Sequence, residues 1–323
     1  MSKQMKIWLI IAASVVLLGA IIFVGAMTFM GWDFTKVSTT KYEENTHNVD
    51  KEYKNILIVT DTADVSFVPS SDAKTTVACK ENVKAKHSVS VKGDTLVIEM
   101  NDERKWYDYI GIDFGTSSQI KVYIPSGEYG TLSVEDSTGD VKIPDNFKFK
   151  SVSVFGSIGN VECSAFVSGK VKVALSTGCI SVKNTNVGAL DLKVSTGNIS
   201  LSKIECAGNI DAVVSTGDSV LTDVLCSNIH LKGTTGEVEM KKVIASGNIS
   251  IERSTGDIEF DRCDADTLNL KTSTGDVEGS LLSDKVFVYE TSTGDVELPK
   301  TTTCGICEIK TSTGDIEIKI VGK

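Results

Sequence analysis

The sequence predicts an all-β protein: a β-solenoid (β-helix) of about ten 19–20-residue coils, preceded by one N-terminal transmembrane helix. The first observation is a glycine period. Gly139, Gly159, Gly178, Gly197, Gly217, Gly236, Gly256, Gly275, Gly294 and Gly314 are spaced by 19 or 20 residues, most of them within a Ser-Thr-Gly-Asp phrase. Regular self-similarity at such an interval marks a repeat architecture. The second is alternation around each glycine. Two residues on stand Val141, Val161, Ile180, Ile199, Ser219, Val238, Ile258, Val277, Val296 and Ile316, and four residues on a second apolar column that only Gly279 breaks. The positions between are polar apart from Val220, and period-two alternation is the signature of a half-buried strand. The third is an uncharged aliphatic run near the N-terminus.

Each repeat therefore reads as strand, corner, strand, connector. Two short strands have one apolar side and no partner, so they bury it only by stacking on identical neighbours. Neighbouring strands lie ~4.8 Å apart, which sets like residues over like. Gly suits the corner because a sharp turn calls for φ > 0, and Ser, Thr and Asp bond the bent backbone locally. Hairpins closed by Thr-Gly are the alternative architecture, and they leave the strict period unexplained.

In chain order, residues 1–6 form a cytoplasmic N-terminus and residues 7–31 a transmembrane anchor, long enough to cross a bilayer core of about 30 Å. A secretory signal would have a shorter apolar region and a small-residue cleavage site, whereas Met27, Phe29, Met30 and Trp32 occupy the exit. Lys3 and Lys6 precede the span and no basic cluster follows it closely, which holds the N-terminus inside and places the C-terminal domain outside the cell. Residues 32–54 are polar, lack an apolar period and read as a linker. Residues 55–130 carry strand patterns without the glycine period, with Gly93-Asp94 as a hairpin turn, and suit an irregular N-terminal cap over a solenoid end. Residues 131–323 are the repeats.

Two stretches depart from the pattern. Arg104 to Phe114 gathers aromatics among charges; it is read as a loop over the solenoid end with Trp106 and Phe114 buried, or else as an exposed aromatic tip. At the C-terminus no cap follows Ile316 to Ile320, so Glu317, Lys319 and Lys323 guard an open edge by charge, or that edge pairs with another chain.

Composition limits function. Without Lys3 and Lys6 the exterior part has 31 basic and 43 acidic residues, a formal charge of −12. It lacks the basic stripe that phosphate neutralisation needs, so nucleic acid is not an expected partner. Of eight cysteines, Cys163 and Cys307 fall in inward columns, and Cys206 and Cys226 stack in neighbouring coils, where a disulfide is left open. Cys304 and Cys307 have the CxxC spacing but enter a strand rather than a helix, which argues against a redox site. His47, His87 and His230 are scattered, and no zinc set is expected.

The Asp column (Asp140, Asp218, Asp257, Asp276, Asp295, Asp315) invites calcium, but turn chemistry alone accounts for it. Glu259, Glu278, Glu297 and Glu317 stack near the carboxyl separation of retaining glycosidases, yet they repeat on a flat wet face, whereas a catalytic pair needs two unlike environments. No catalytic residue, cofactor or metal is assigned, and the chain reads as a non-enzyme.

The N-terminal anchor, irregular strands and repeated Ser-Thr-Gly-Asp-(Val/Ile)-x-(Leu/Ile) phrases, from about Asn55 to Ile320, resemble the bacterial putative-adhesin family of β-strand-repeat envelope proteins. The resemblance implies a β-helical fold on the outside of bacterial envelopes, and some similar proteins accompany envelope-stress signalling systems of the Lia type. Two readings follow. One is a surface adhesin or scaffold, held in the membrane through residues 7–31, that meets an envelope protein or wall glycan, with homo-association through the C-terminal edge. The other is an accessory of an envelope-stress or signalling system that acts through a membrane partner.

Overall fold

The computed structural model describes residues 2–33, 41–109, 117–301 and 304–322. After helix α1 (Lys3–Phe29) the described chain is a β-solenoid of about nine turns, against the ten read from the glycines. Its first strands are β1 (Tyr42–Val49), β2 (Asn55–Val59), β3 (Ala63–Pro69), β4 (Thr75–Asn82), β5 (Ala85–Lys92), β6 (Thr95–Asp102), β7 (Ser118–Ile124), β8 (Glu128–Thr138) and β9 (Val141–Ile143). Two parallel walls run the length of the stack, one of strands before the turn glycines and one of strands after them. Between them lies a continuous core of Val, Ile and Leu, including Leu132, Ile143, Ile180, Leu190, Leu201, Ile210 and Ile249, all fully buried.

The turn glycines are fixed by contact. From Gly159 to Gly314 the nine have φ between 126° and 152°. A Cβ on any of them would lie 1.8–2.2 Å from the carbonyl oxygen of the glycine one coil below. Glycine is therefore required both by conformation and by the close approach of stacked backbones. A second corner, six residues later, is turned without glycine: Asn184, Lys203, Asp223, Lys242 and Arg262 have φ of 52–55°. Their side chains project to solvent, where a left-handed residue is tolerated at a cost of about 1–2 kcal/mol.

Two departures from the column pattern explain each other. Phe260 is buried in the column where the next coil has Gly279, and a Cβ on Gly279 would stand 2.6 Å from the Phe260 ring. The missing side chain is the space the phenyl ring fills.

Spatial order departs from chain order at both ends. At the start, β2 lies between β6 and β8, and β3 between β7 and β9, so the first coil in sequence is inserted beneath a later one. The antiparallel strands β1, β4 and β5 then close this end. The Gly93-Asp94 hairpin forms as expected, joining Lys92 to Thr95. Strand β1 falls within the segment read as linker. Only alternate residues of this outermost strand are even half-buried, so it carries no apolar period to read.

At the other end, Ile306–Lys310 pairs with Thr267–Lys271 on one side and Val286–Glu290 on the other. Likewise Ile316–Ile320 lies between Val277–Leu281 and Val296–Glu297. The last coil in sequence is thus the penultimate coil in space. This corrects the expectation that Ile316 to Ile320 forms the open edge, guarded by Glu317 and Lys319: one side is paired along its whole length and the other at Ile316 and Glu317. Lys323 lies outside the described residues. The outermost coil is instead 286–297, where Phe287 and Leu298 close the core as half-buried large side chains.

Candidate functional site

The Asp column proves to be a ladder of backbone caps. Asp140 Oδ1 accepts the N–H of Asn160 (2.7 Å), Asn160 Oδ1 that of Cys179, Asn198 Oδ1 that of Asp218, and Asp218 Oδ1 that of Glu237. Farther along, Asp257 caps Asp276, Asp276 caps Asp315, and Asp315 caps Asp295. The rungs skip where the accepting position is Cys179 or Glu237, which have no carboxyl or amide oxygen at that reach. Each oxygen therefore has a local structural job, satisfying a backbone donor that the bent strand leaves behind. Replacing Glu237 with Asp is expected to supply the missing cap for the Asp257 N–H. It should raise unfolding free energy by about 0.5–1.5 kcal/mol in urea titrations, and an unchanged midpoint would show that the rung contributes nothing.

The Glu face is in register as well: Glu239 lies beside Glu259, then Glu278, Glu317 and Glu297. Met240, Phe260, Gly279 and Lys319 line the same shallow groove. Partial desolvation, with Glu317 and Asp276 next in effect, raises the Glu278 pKa. Lys319 is paired with Glu317, which relieves part of the like-charge repulsion.

All eight cysteines are free thiols. Cys206 and Cys226 are both buried and sit on neighbouring strands, but their sulfurs point at different carbonyls, Gly188 and Asn209 for one and Ile244 for the other. Burial pushes the Cys226 thiol up to about 12 and that of Cys307 likewise, leaving neither as a ready nucleophile. Cys304 is exposed while Cys307 faces the core, so the CxxC pair is split between two environments.

Sequence reasoning missed one cluster. Donor atoms of Cys79, Glu81 and His87 lie within 4.8 Å of one another in the cap, all buried. Glu81 Oε2 is 2.7 Å from His87 Nδ1 and accepts the His87 backbone N–H, while Oε1 accepts from Asn45. His87 Nε2 lies 2.9 Å from Thr60 Oγ1. Both ring nitrogens and both carboxylate oxygens are thus engaged within the protein, and the cluster ties β4, β5 and the β2–β3 corner together. Burial first and Glu81 second push the Cys79 thiol up to about 12. The alternation of Cys79 and Glu81 along β4 was the available signal. The aromatic segment also differs from the first of its two readings: Trp106 is 76% exposed and Tyr107 49%, and Phe114 lies outside the described residues.

The surface best suited to contact is the open end at Val286–Glu290. Val288 is 51% exposed and Tyr289 54%, with Val286 and Val296 beside them. Among the described residues the strand is paired on one side only, so its outer N–H and C=O groups face away from the stack. Among the described residues the Asp295 carboxylate is the end of the capping ladder.

The chain is similar to solved structures. A putative adhesin from Parabacteroides merdae aligns with a TM-score of 0.51 at 14% identity, covering 74% of this chain and 96% of its own. A putative adhesin from Parabacteroides distasonis has a TM-score of 0.48 at 16% identity, covering 75% and 98%. A putative lipid binding protein from the same organism has a TM-score of 0.45 at 19% identity, covering 75% and 95%. A search of curated proteins gives no match. The profile of the Toastrack DUF4097 family matches residues 53–224 and 219–322, nearly the whole solenoid. The chain belongs to the Toastrack DUF4097 family.

Proposed function

We propose that this chain is a membrane-anchored, extracytoplasmic and non-catalytic solenoid that presents its far end to an extended strand of an envelope protein, a second copy of itself included. Helix α1 has the length and composition to hold it in the bilayer, and the stack carries the open coil away from that end. The observation behind the reading is the apolar, one-sided strand Val286–Glu290, because such an edge accepts an added strand through its free backbone groups. A wall glycan is the competing ligand. A net exterior charge of −12 disfavours anionic wall polymers without cations.

The test is crosslinking in intact cells with the wild-type chain and with Val288→Lys/Tyr289→Lys. Loss of the crosslinked species in the variant supports strand addition, and an unchanged pattern sinks it. A second reading, an accessory of a signalling system acting through a membrane partner, draws on α1 itself, whose most apolar 18-residue stretch is exposed throughout. There the crosslinks would survive the edge variant and depend on residues 1–31.

A further inference from the structure

We propose that Trp106 and Tyr107 form a membrane-contacting tip, seated in the interfacial layer of the same bilayer that α1 enters. The proposal rests on the reading of α1 as an anchor. The two residues open a 3-10 turn, Trp106–Tyr109, between β6 and β7. Their rings meet edge to face at 5.9 Å and remain largely exposed, Trp106 at 76% the more so, whereas the aromatics Phe67, Phe147 and Phe149 of the same end are in the core. The turn is held by Asp108, which accepts the backbone N–H of Lys105 at 2.9 Å and pairs with Lys84. Lys84 in turn accepts the Glu103 N–H through its carbonyl oxygen, so the tip is bound at its base to the β4–β5 hairpin.

That hairpin is also where the chain arrives from the anchor. Tyr42 pairs with Asn82, and Val83, the residue before Lys84, donates its N–H to the Lys41 carbonyl at 3.1 Å. The tip and the point of attachment are therefore neighbours. Eight residue steps separate Asp33 from Lys41, at most about 29 Å when fully stretched. This end of the solenoid is thereby kept within about 29 Å of where α1 leaves the bilayer, whatever the rod does at its far end.

The chemistry fits such a location. Trp and Tyr concentrate at membrane–water interfaces because their rings are apolar with one polar edge. Lys105 lies 6.0 Å from the Tyr107 ring, Lys84 is half-exposed, and Val83 is 37% exposed on the same corner. Basic side chains reach the headgroups while their stems lie along the apolar layer. Lys84 is already paired with Asp108, so the local charge is mixed, and contact is expected on zwitterionic lipid without a need for anionic lipid.

The chain has three tryptophans, Trp8, Trp32 and Trp106, which makes the test direct. Full-length protein is reconstituted into phosphatidylcholine vesicles as three single-tryptophan variants, the other two residues replaced by Phe in each. Lipids brominated along the acyl chain serve as contact quenchers. With Trp106 alone, emission is expected to be blue-shifted, to fall by about half with shallow bromolipids, and to be protected from aqueous acrylamide. Water-like emission that acrylamide quenches and bromolipid does not would overturn the proposal. The variant retaining Trp8 separates the two claims: quenching of Trp8 without Trp106 removes the tip alone, whereas no quenching of Trp8 removes the anchor and the tip with it.

Discussion

A chain ending at Lys300 is expected to lose the order of two coils, although it lacks the residues of only one. In a solenoid whose spatial order follows its sequence, trimming the C-terminus shortens the rod and exposes the coil beneath. Here the removed strands Ile306–Lys310 and Ile316–Ile320 are the inner neighbours of coil 286–297, which pairs with no other described strand. Cys307, Ile309, Ile316 and Ile318 are all buried, and their loss removes roughly 5–10 kcal/mol of apolar burial before any rearrangement. The orphaned coil would then have to dock directly on Thr267–Lys271 and Val277–Leu281, to which it is not paired in the intact stack. Protease cleavage within residues 282–300 is therefore expected in the truncated protein and not in the intact one. Excision of the internal coil Cys179–Gly197 is the matched control, since it joins Gly178 to Asn198 and leaves every column in phase. That variant should unfold cooperatively as a shorter rod. Equal protease resistance of the truncated and full-length chains would contradict the inserted order.

The contrast shows which features a repeat sequence can reveal. Gly217 or Gly236 can be read as corners because backbone contact allows nothing larger, and the Val and Ile columns because each must face the core in every coil. The order of the coils is a different matter. Coils 286–297 and 306–320 offer the same columns to a neighbour, so the pairing pattern alone permits either to lie on coil 267–281. What separates them is bulk: Cys307, Ile309, Ile316 and Ile318 tolerate a neighbour on both sides, while Phe287, Tyr289 and Leu298 suit an end. Strand β1 was hidden for the opposite reason, since it gains its place from backbone pairing with β4 and little from apolar side chains. The edge at Val288 and the tip at Trp106 stayed hidden too, because exposure at either depends on which elements lie beside it in space.

Arg253, Gly233 and Ser219 are expected to be coupled, so that Gly233→Val is severely destabilising alone and less costly when the other two are also changed. Arg253 stands in an inward column that elsewhere holds Leu175, Val194, Val214, Thr272 and Thr311, and it is 2% exposed. Its guanidinium occupies the space over Gly233, where a Cβ would come within 1.8 Å of Nη1 and 2.3 Å of the Val214 carbonyl oxygen. Nη2 donates to Ser219 Oγ at 2.7 Å and Nη1 to the Val214 carbonyl at 3.2 Å, while Nε has no partner. Ser219, the one polar residue in its column, is thus the acceptor for a buried cation, and burial lowers the Arg253 pKa. Gly233→Val should cost about 3–5 kcal/mol by steric conflict, and Ser219→Val about 2–4 kcal/mol by stranding a charge. The replacement Arg253→Thr has a precedent within the stack: Thr272 and Thr311 each donate to the glycine carbonyl of the coil below. A Thr at 253 would meet the Gly236 carbonyl in the same way. The triple variant Ser219→Val/Gly233→Val/Arg253→Thr removes the buried charge and the guanidinium conflict, a change of the kind that is often neutral or stabilising, and leaves the approach of the residue 233 Cβ to the Val214 carbonyl as its residual cost. Urea unfolding of the singles and the triple measures the coupling. If the three costs simply added, the guanidinium would not be what links these positions.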